Sequence, residues 1–262
     1  MVITSKDNEL IKHIRKLSDK KYREEKKEFI IEGIKLLEEA INENAKIDKV
    51  IICDDCNLEG TIYNELKYEI ARLDCIYVSE KIFKLISDVK TPQGIMAIIK
   101  KEDKKEEIKY DEDLSLILDN IQDPGNMGTI LRTADSLNIK QVIISKGSSD
   151  VFSPKVVRST MGAIFRISII ESEDLVKTIK DLKKHKINIV VTSLDTNKSM
   201  YNIDYNKSAI VIGNEANGVS KEIQDLADNK VKIPMIGKTE SLNASVATAI
   251  ILYEAMRNKL KN

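Results

Sequence analysis

Three short segments concentrate the residue types that do polar chemistry: NIQDPGNMGTILRTA over 120–134, VIGNEANGVS over 211–220, and IPMIGKTESLNASVA over 233–247. The first offers Asn126 and Gly128 followed by Arg132. A guanidinium stays cationic at any physiological pH, and its planar fork of donors suits a phosphate or a developing oxyanion. The second segment sets Glu215 between Gly213 and Gly218, and the third runs from Ile233-Pro234-Met235 to Ser241-Leu242-Asn243 at the head of an apolar stretch. Each segment taken singly also has a plain structural explanation. Asn126 suits a helix cap, Arg132 a solvated surface, and Gly213 and Gly218 the turns around an exposed Glu215. Ser241 can cap a final helix in which Ala244, Ala247 and Ala249 pack closely. Acting together, the segments need a fold that brings three loops to one place.

An alternation of strand and helix patterns supplies such a fold. LSLILDN (114–120) is a continuous apolar run, as expected of a parallel strand covered on both faces. Asp-Pro-Gly then turns the chain, and Asn126 is placed to cap a helix with Ile130, Leu131, Ala134 and Leu137 inward. QVIIS (141–145) reads as a strand, and Ser153-Pro154 as a cap and first-turn proline opening a short helix. A helix over 173–184 follows, then strands in INIVVTS (187–193), SAIVIG (208–213) and VKIPM (231–235), and a last helix over 241–259. Repeated alternation predicts an α/β fold with a mostly parallel sheet. Ligands of such sheets lie beyond the carboxyl ends of the strands, where all three segments fall.

A second, smaller α/β pattern precedes this one. Strands are predicted in FIIEG (29–33), KVIIC (49–53), CIYVS (75–79) and QGIMAIIK (93–100). Between them fall a helix over 34–41, with Leu37 and Ile41 on one side, and a helix capped by Ser79 that carries Ile82, Leu85 and Ile86. KKEDKKEEIKYDED (100–113) is almost wholly charged, offers no core face and reads as a linker. The expected organisation is an N-terminal domain over 1–104, a charged linker over 105–113 and a C-terminal domain over 114–262.

Composition narrows the classes. Across 262 residues, 42% hydrophobic and 32% charged, the chain has material for two cores and a soluble surface. No apolar run reaches the roughly 18 residues of a membrane span, and the start lacks the apolar stretch of a signal peptide, so a cytoplasmic location is expected. Net charge is zero, yet Lys12, Arg15, Lys16, Lys20, Lys21, Arg23, Lys26 and Lys27 stand against only Asp19, Glu24 and Glu25 within one short segment. Such a cluster is either a solvated helix face or a phosphate-contacting surface. Cys53 and Cys56 form C-x-x-C without a second pair, and His13 and His185 lie elsewhere, so no metal site is expected. Reduced thiols, with no structural disulfide, are the expectation for a protein kept inside the cell.

In combination, the three segments resemble the SpoU (TrmH-like) branch of the SPOUT superfamily of RNA methyltransferases. The matching residues are Asn126, Gly128 and Arg132 within R-T-A, Gly213, Glu215 and Gly218 in G-x-E-x-x-G, and I-P-M followed by S-L-N at 233–235 and 241–243. Ala244 departs from the pattern, where valine is common. The resemblance covers about 114–262. FIIEGIKLLEEA and QGIMAII also resemble the L30e-like substrate-binding domain attached to many of these enzymes.

The resemblance implies a trefoil-knotted catalytic domain, S-adenosylmethionine as cofactor, a homodimer whose sites are completed near the subunit interface, and methyl transfer to a ribose 2′-hydroxyl. It favours 23S ribosomal RNA, with tRNA as the alternative. Aligning oxygen, methyl and sulfur is the main task, and orientation alone contributes roughly 7–11 kcal/mol in such reactions. Arg132 would bind the neighbouring phosphate and stabilise the developing oxyanion, rather than act as a literal base. Asn126, Glu215, Ser241 and Asn243 would orient it and the ribose. The backbone at Gly213, Ile233 and Leu242, with the loop at Ser193, would hold the cofactor. Lys12, Arg15, Lys20, Lys21 and Arg23 would contact RNA. Two competing classes fit less well. A non-catalytic RNA binder would not need Arg132, Glu215, Ser241 and Asn243 intact, and an NAD-type oxidoreductase would need the absent G-x-G-x-x-G.

Overall fold

Near-continuous apolar runs in the first part of the chain build a sheet with two buried faces. The computed structural model describes residues 2–56, 58, 60–101, 106–257 and 259. It divides into two units, Met1–Lys104 with Asp150–Phe165, and Lys105–Ser149 with Arg166–Asn262. The expected boundary between residues 104 and 105 lies outside the described residues.

The first unit contains β1 (Val2–Ile3), α1 (Glu9–Lys16), α2 (Lys20–Lys26), β2 (Glu28–Glu32), α3 (Ile34–Asn42), β3 (Ile47–Cys53), α4 (Thr61–Ile70), β4 (Cys75–Val78), α5 (Glu80–Ile86) and β5 (Ile95–Lys100). The sheet runs β1-β4-β3-β5-β2, with β5 antiparallel to both neighbours and the other pairs parallel. Successive residues of a strand face opposite sides. Ile95, Ala97 and Ile99 therefore join the core under α3 and α4, while Met96 and Ile98 join the core under α1 and α5. The segment 150–165 completes the first of these cores: Val157 is buried in it, and Phe152 and Phe165 pack against Phe29. Sequence order alone predicts this segment among the C-terminal elements, and its aromatic contacts to Phe29 place it in the first unit.

The second unit contains β6 (Leu114–Asp119), α6 (Pro124–Ser136) and β7 (Gln141–Ser145). The chain then passes through α7 (Pro154–Thr160), which belongs to the first unit. It returns with β8 (Ser168–Ser172), α8 (Leu175–Lys184), β9 (Asn188–Thr192), β10 (Ser208–Gly213), α9 (Lys221–Asp225), β11 (Asn229–Val231) and α10 (Ala244–Met256). Its six strands are all parallel in the order β11-β9-β10-β6-β7-β8. Every residue of β6 and β10 is buried, which explains their unbroken apolar runs. Gly213 pairs with Asp119 at the carboxyl ends of these two strands, so the loops that follow them are neighbours.

Several sequence expectations need correction. Asp123, not Asn126, caps α6: its side chain accepts the Asn126 N–H, with Pro124 in the first turn. The last strand is Asn229–Val231 rather than 231–235, and Asn243, not Ser241, caps α10. The helix α4 and the strand β8 went unread, α4 because its apolar spacing is diluted by polar residues. Cys53 and Cys56 are joined in a disulfide, against the expected free thiols. Their Cα atoms are 5.2 Å apart, within the range a disulfide spans. Gly94 faces the pair at a φ of +85°, and a Cβ there would lie 2.7 Å from the Cys56 Cβ. The charged stretch also does more than link. Gln141, fully buried, exchanges two 2.9 Å hydrogen bonds with the Lys109 backbone. Tyr110 stacks on His185 at 3.7 Å and donates to Asp181, while Ile108 and Tyr110 pack against the core that includes Ile117, Ile143 and Leu182.

Candidate active site

The cap at Asp123 has a consequence for the site. Because Asp123 satisfies the first turn of α6, the Asn126 carboxamide is released from capping and is free to bond elsewhere. Its Nδ2 donates to Glu215 Oε1 at 2.8 Å, and its Oδ1 accepts from Asn243 Nδ2 at 2.9 Å. One residue from each of the three segments thus meets in a single hydrogen-bonded row. Asn243 Oδ1 is itself anchored, accepting from the Ser245 and Val246 N–H groups at the start of α10. Asn126 is buried at 9% exposure, whereas Glu215 and Asn243 are open to solvent. The row is held from below and reachable from above.

The Glu215 loop is fixed by residues that sequence reasoning did not single out. Asn214 Oδ1 accepts from the Ala216 and Asn217 N–H groups, and its Nδ2 donates to the Asn120 carbonyl at 2.9 Å. Asp119 Oδ2 accepts from the Ser220 N–H at 2.8 Å. An asparagine directly after a strand glycine is a turn-forming signal, the one by which Asn214 could have been found. Gly213 is buried, and a Cβ on it would lie 2.1 Å from the Gly218 carbonyl carbon and from the Val219 nitrogen. Gly218 adopts a φ of +67°, in the left-handed region that favours glycine. The loop therefore folds back on its own strand end, and only glycine fits at its base.

Arg132 stands apart from this row. It is exposed on α6 and shares no hydrogen bond or ion pair with any described residue. Ser241 is also exposed and lies outside the row. Of the expected cofactor positions, the Ser193 loop is tied to the end of β11: the Ser193 N–H donates to the Val231 carbonyl at 2.9 Å, and Ser193 Oγ bonds Gln224. Ile233 is half-buried. Leu194, Met235, Ile236 and Leu242 leave large apolar surface open on these loops. Exposed apolar side chains next to strand ends are the kind of surface an adenosine moiety covers, so these residues suit the expected cofactor.

In the first unit, Lys12, Arg15, Lys20 and Lys21 are exposed on α1 and α2. Lys12 pairs with Glu9 at 2.8 Å and Lys20 with Glu24 at 3.6 Å. Arg23 is a correction. It is 4% exposed, donates to the Leu17 carbonyl and pairs with Asp150, so its guanidinium is committed inside the unit. Its basic neighbours predict a surface position, and only the tertiary partner Asp150 explains its burial. Among the described residues no group of three His, Cys, Asp or Glu side chains is placed to hold a metal ion, and no helix is long and apolar enough to cross a membrane.

A fully parallel sheet with a polar row near its strand ends defines an α/β protein with a candidate site, and comparison with known proteins gives its family. The SpoU rRNA Methylase family matches residues 113–253, and an MRM3-like substrate binding domain matches residues 8–97. A 23S rRNA (guanosine(2553)-2'-O)-methyltransferase of Bacillus subtilis is 30% identical over 252 residues, 96% of this chain and 97% of that protein. An rRNA methyltransferase from Sinorhizobium meliloti superposes with a TM-score of 0.86 at 30% identity, covering 98% of both chains. The AdoMet-bound form of that methyltransferase superposes equally well, with a TM-score of 0.86 at 29% identity over 98% of each chain. The chain belongs to the SpoU rRNA methylase family. It is an RNA methylase by family.

Proposed function

We propose that the chain methylates a ribose 2′-hydroxyl of 23S ribosomal RNA, in the cytoplasm and as a homodimer, with Arg132 as the electrostatic group of the reaction. The observation that carries this reading is the Glu215–Asn126–Asn243 row, in the same unit as an exposed Arg132 that has no partner among the described residues. When bound, S-adenosylmethionine supplies an electrophilic methyl group. The protein's part is to fix the acceptor and to stabilise the charge that grows on O2′ as its proton is lost to water. A preorganised cation aimed at a developing oxyanion lowers the barrier without reorganising at the moment of reaction. Asn126 and Asn243 are rigid amides suited to hold ribose hydroxyls. The relative acting on 23S rRNA matches nearly the full length of both chains, which supports the ribosomal reading over tRNA.

The homodimer rests on α10. From Ala244 to Tyr253 this helix carries no charged residue, yet Val246 is 46% and Tyr253 51% exposed. A helix apolar on all sides is a buried helix, so the open side of α10 is suited to a second copy. In such a dimer Arg132 of one subunit would serve the row of the other, which accounts for its separation from Asn126. Sedimentation of wild type and Tyr253→Glu tests this. A dimer that the substitution converts to a poorly active monomer supports it, and a wild-type monomer with full activity contradicts it. The reaction is tested by incubating 23S rRNA from cells lacking the gene with labelled cofactor and mapping the label. Incorporation at one ribose is expected, and label confined to tRNA contradicts the ribosomal assignment.

A further inference from the structure

The first unit carries a cleft of about 420 Å³ between α1 and α5 that the reaction does not use. Lys12, Arg15 and Lys16 form its rim, and Ile14, Leu85 and Ile86 its floor. Its volume falls in the range of roughly 300–1,000 Å³ typical of small-ligand clefts. The three cations sit at i, i+3 and i+4 on α1, where like charges repel and destabilise a helix. Among the described residues Lys12 alone of the three has a carboxylate partner, Glu9, and Lys16 rests 5.6 Å from the Tyr22 ring. Arg15 has no ion pair among the described residues. Leu85, meanwhile, is 43% exposed at the floor. An apolar floor under a cationic rim matches a ligand with a flat face and attached anionic groups.

We propose that this cleft is a subsite for one unpaired nucleotide of the RNA, its base on Leu85 and Ile86 and its flanking phosphates on Arg15 and Lys16; the proposal rests on the RNA-methyltransferase reading. A duplex presents phosphates and 2′-hydroxyls on a convex surface and keeps its bases stacked inside, so it reaches the rim and not the floor. An unpaired base reaches both. The subsite therefore selects for a bulge, loop or single-stranded stretch at some distance along the substrate from the methylated ribose.

The test uses the full-length protein with a fluorescent unstructured RNA and a hairpin duplex of the same composition. Leu85→Asp, a change at an exposed position, is expected to weaken binding of the unstructured RNA on the order of tenfold, in keeping with the cost of losing one base contact, while duplex binding shifts less than about twofold. Arg15→Ala is expected to lower the salt dependence of single-strand binding by about 0.7 in the log–log slope, one phosphate contact. Thermal melting and calorimetry with S-adenosylmethionine check that both variants fold. Equal loss of single-strand and duplex binding in Leu85→Asp, or no loss in either, overturns the subsite. So does stronger competition by polyglutamate than by unstructured RNA, which points to an acidic protein partner instead. Wild-type protein that fails to bind S-adenosylmethionine sinks the enzymatic reading itself, whereas normal cofactor binding with unaltered RNA affinity in the variants sinks the subsite alone.

Discussion

Two helices, one in each unit, carry an arginine that the sequence offers for RNA, and the fold treats the two in opposite ways. In the first unit, Arg23 on α2 is buried and paired with Asp150, a residue 127 positions away in the chain. In the second, Arg132 on α6 is exposed and has no partner among the described residues, although polar groups from three loops gather in the same unit. A buried cation without a partner costs several kcal/mol, so Arg23 is explained once Asp150 is found. An unpaired exposed arginine needs no structural explanation, and its place in the unit that carries the site gives it a chemical one. On the proposed reading the same residue type serves packing in one unit and reaction in the other, and what separates the two is whether the fold supplies a counter-charge.

Four substitutions sharpen or break this contrast. The largest effect is expected from Gly213→Val, where a Cβ meets the Gly218–Val219 backbone at 2.1 Å. The loop cannot keep its course, so calorimetry should find cofactor binding lost together with a lowered melting temperature. Normal affinity in a folded variant would remove Gly213 from the site. Arg132→Ala comes next: methyl transfer should fall about a hundred- to a thousandfold, as when one oxyanion-stabilising donor is removed. Melting temperature and cofactor affinity should stay near wild type because the side chain is exposed and unpaired. A variant that keeps near wild-type turnover would place the charge stabilisation elsewhere.

Asp150→Ala should do the reverse, costing about 3 kcal/mol of stability by stranding the Arg23 guanidinium. Denaturant unfolding checks it, and the double variant Arg23→Met with Asp150→Leu should recover most of the loss. If Asp150→Ala unfolds like wild type, the ion pair is incidental and Arg23 returns to the list of RNA contacts.

The smallest effect concerns Glu32, whose carboxyl is held above the ordinary carboxylate range, chiefly by burial, against the opposing hydrogen bond from Ser87. Such a group binds its proton more readily in the folded than in the unfolded chain. It therefore destabilises the fold at neutral pH, and this cost disappears as pH falls through the raised value. Wild type should gain slightly in melting temperature between pH 7 and mildly acidic pH relative to Glu32→Gln. Parallel profiles for the two proteins would show that Glu32 is not strained by its surroundings.

Local pattern carried much of this structure into the sequence. Unbroken apolar runs announced β6 and β10, and glycine-framed polar segments announced the loops that follow the strands. Asn126, Glu215 and Asn243 were named from the sequence, and the structure bonds them to one another. What failed depended on partners distant in sequence or on competition within one turn. Asp123 and Asn126 are both good caps three residues apart, and spacing alone does not say which one wins. Arg23 looked like its lysine neighbours because Asp150 lies in a segment read as part of the other domain. The charged stretch before β6 hid Ile108 and Tyr110, two side chains sufficient to dock it on a core. The Cys53–Cys56 bond was discounted from an expected reducing compartment, while the chain geometry at Gly94 favours the close approach of the two residues.

The central claim is that the acceptor is a ribose oxygen, and the nucleotide itself tests it most directly. An arginine that binds a backbone phosphate is well placed for a 2′-oxygen and badly placed for a base edge. The hydroxyl is also the group by which a protein tells RNA from DNA. Once the methylated position is mapped, a short RNA carrying a single 2′-deoxy nucleotide there can be compared with the all-ribose strand for binding and for methyl incorporation. The account predicts that binding falls only modestly while incorporation disappears, and that digestion of the normal product releases a 2′-O-methylnucleoside. Undiminished methylation of the deoxy strand, or label recovered on a base, would contradict it.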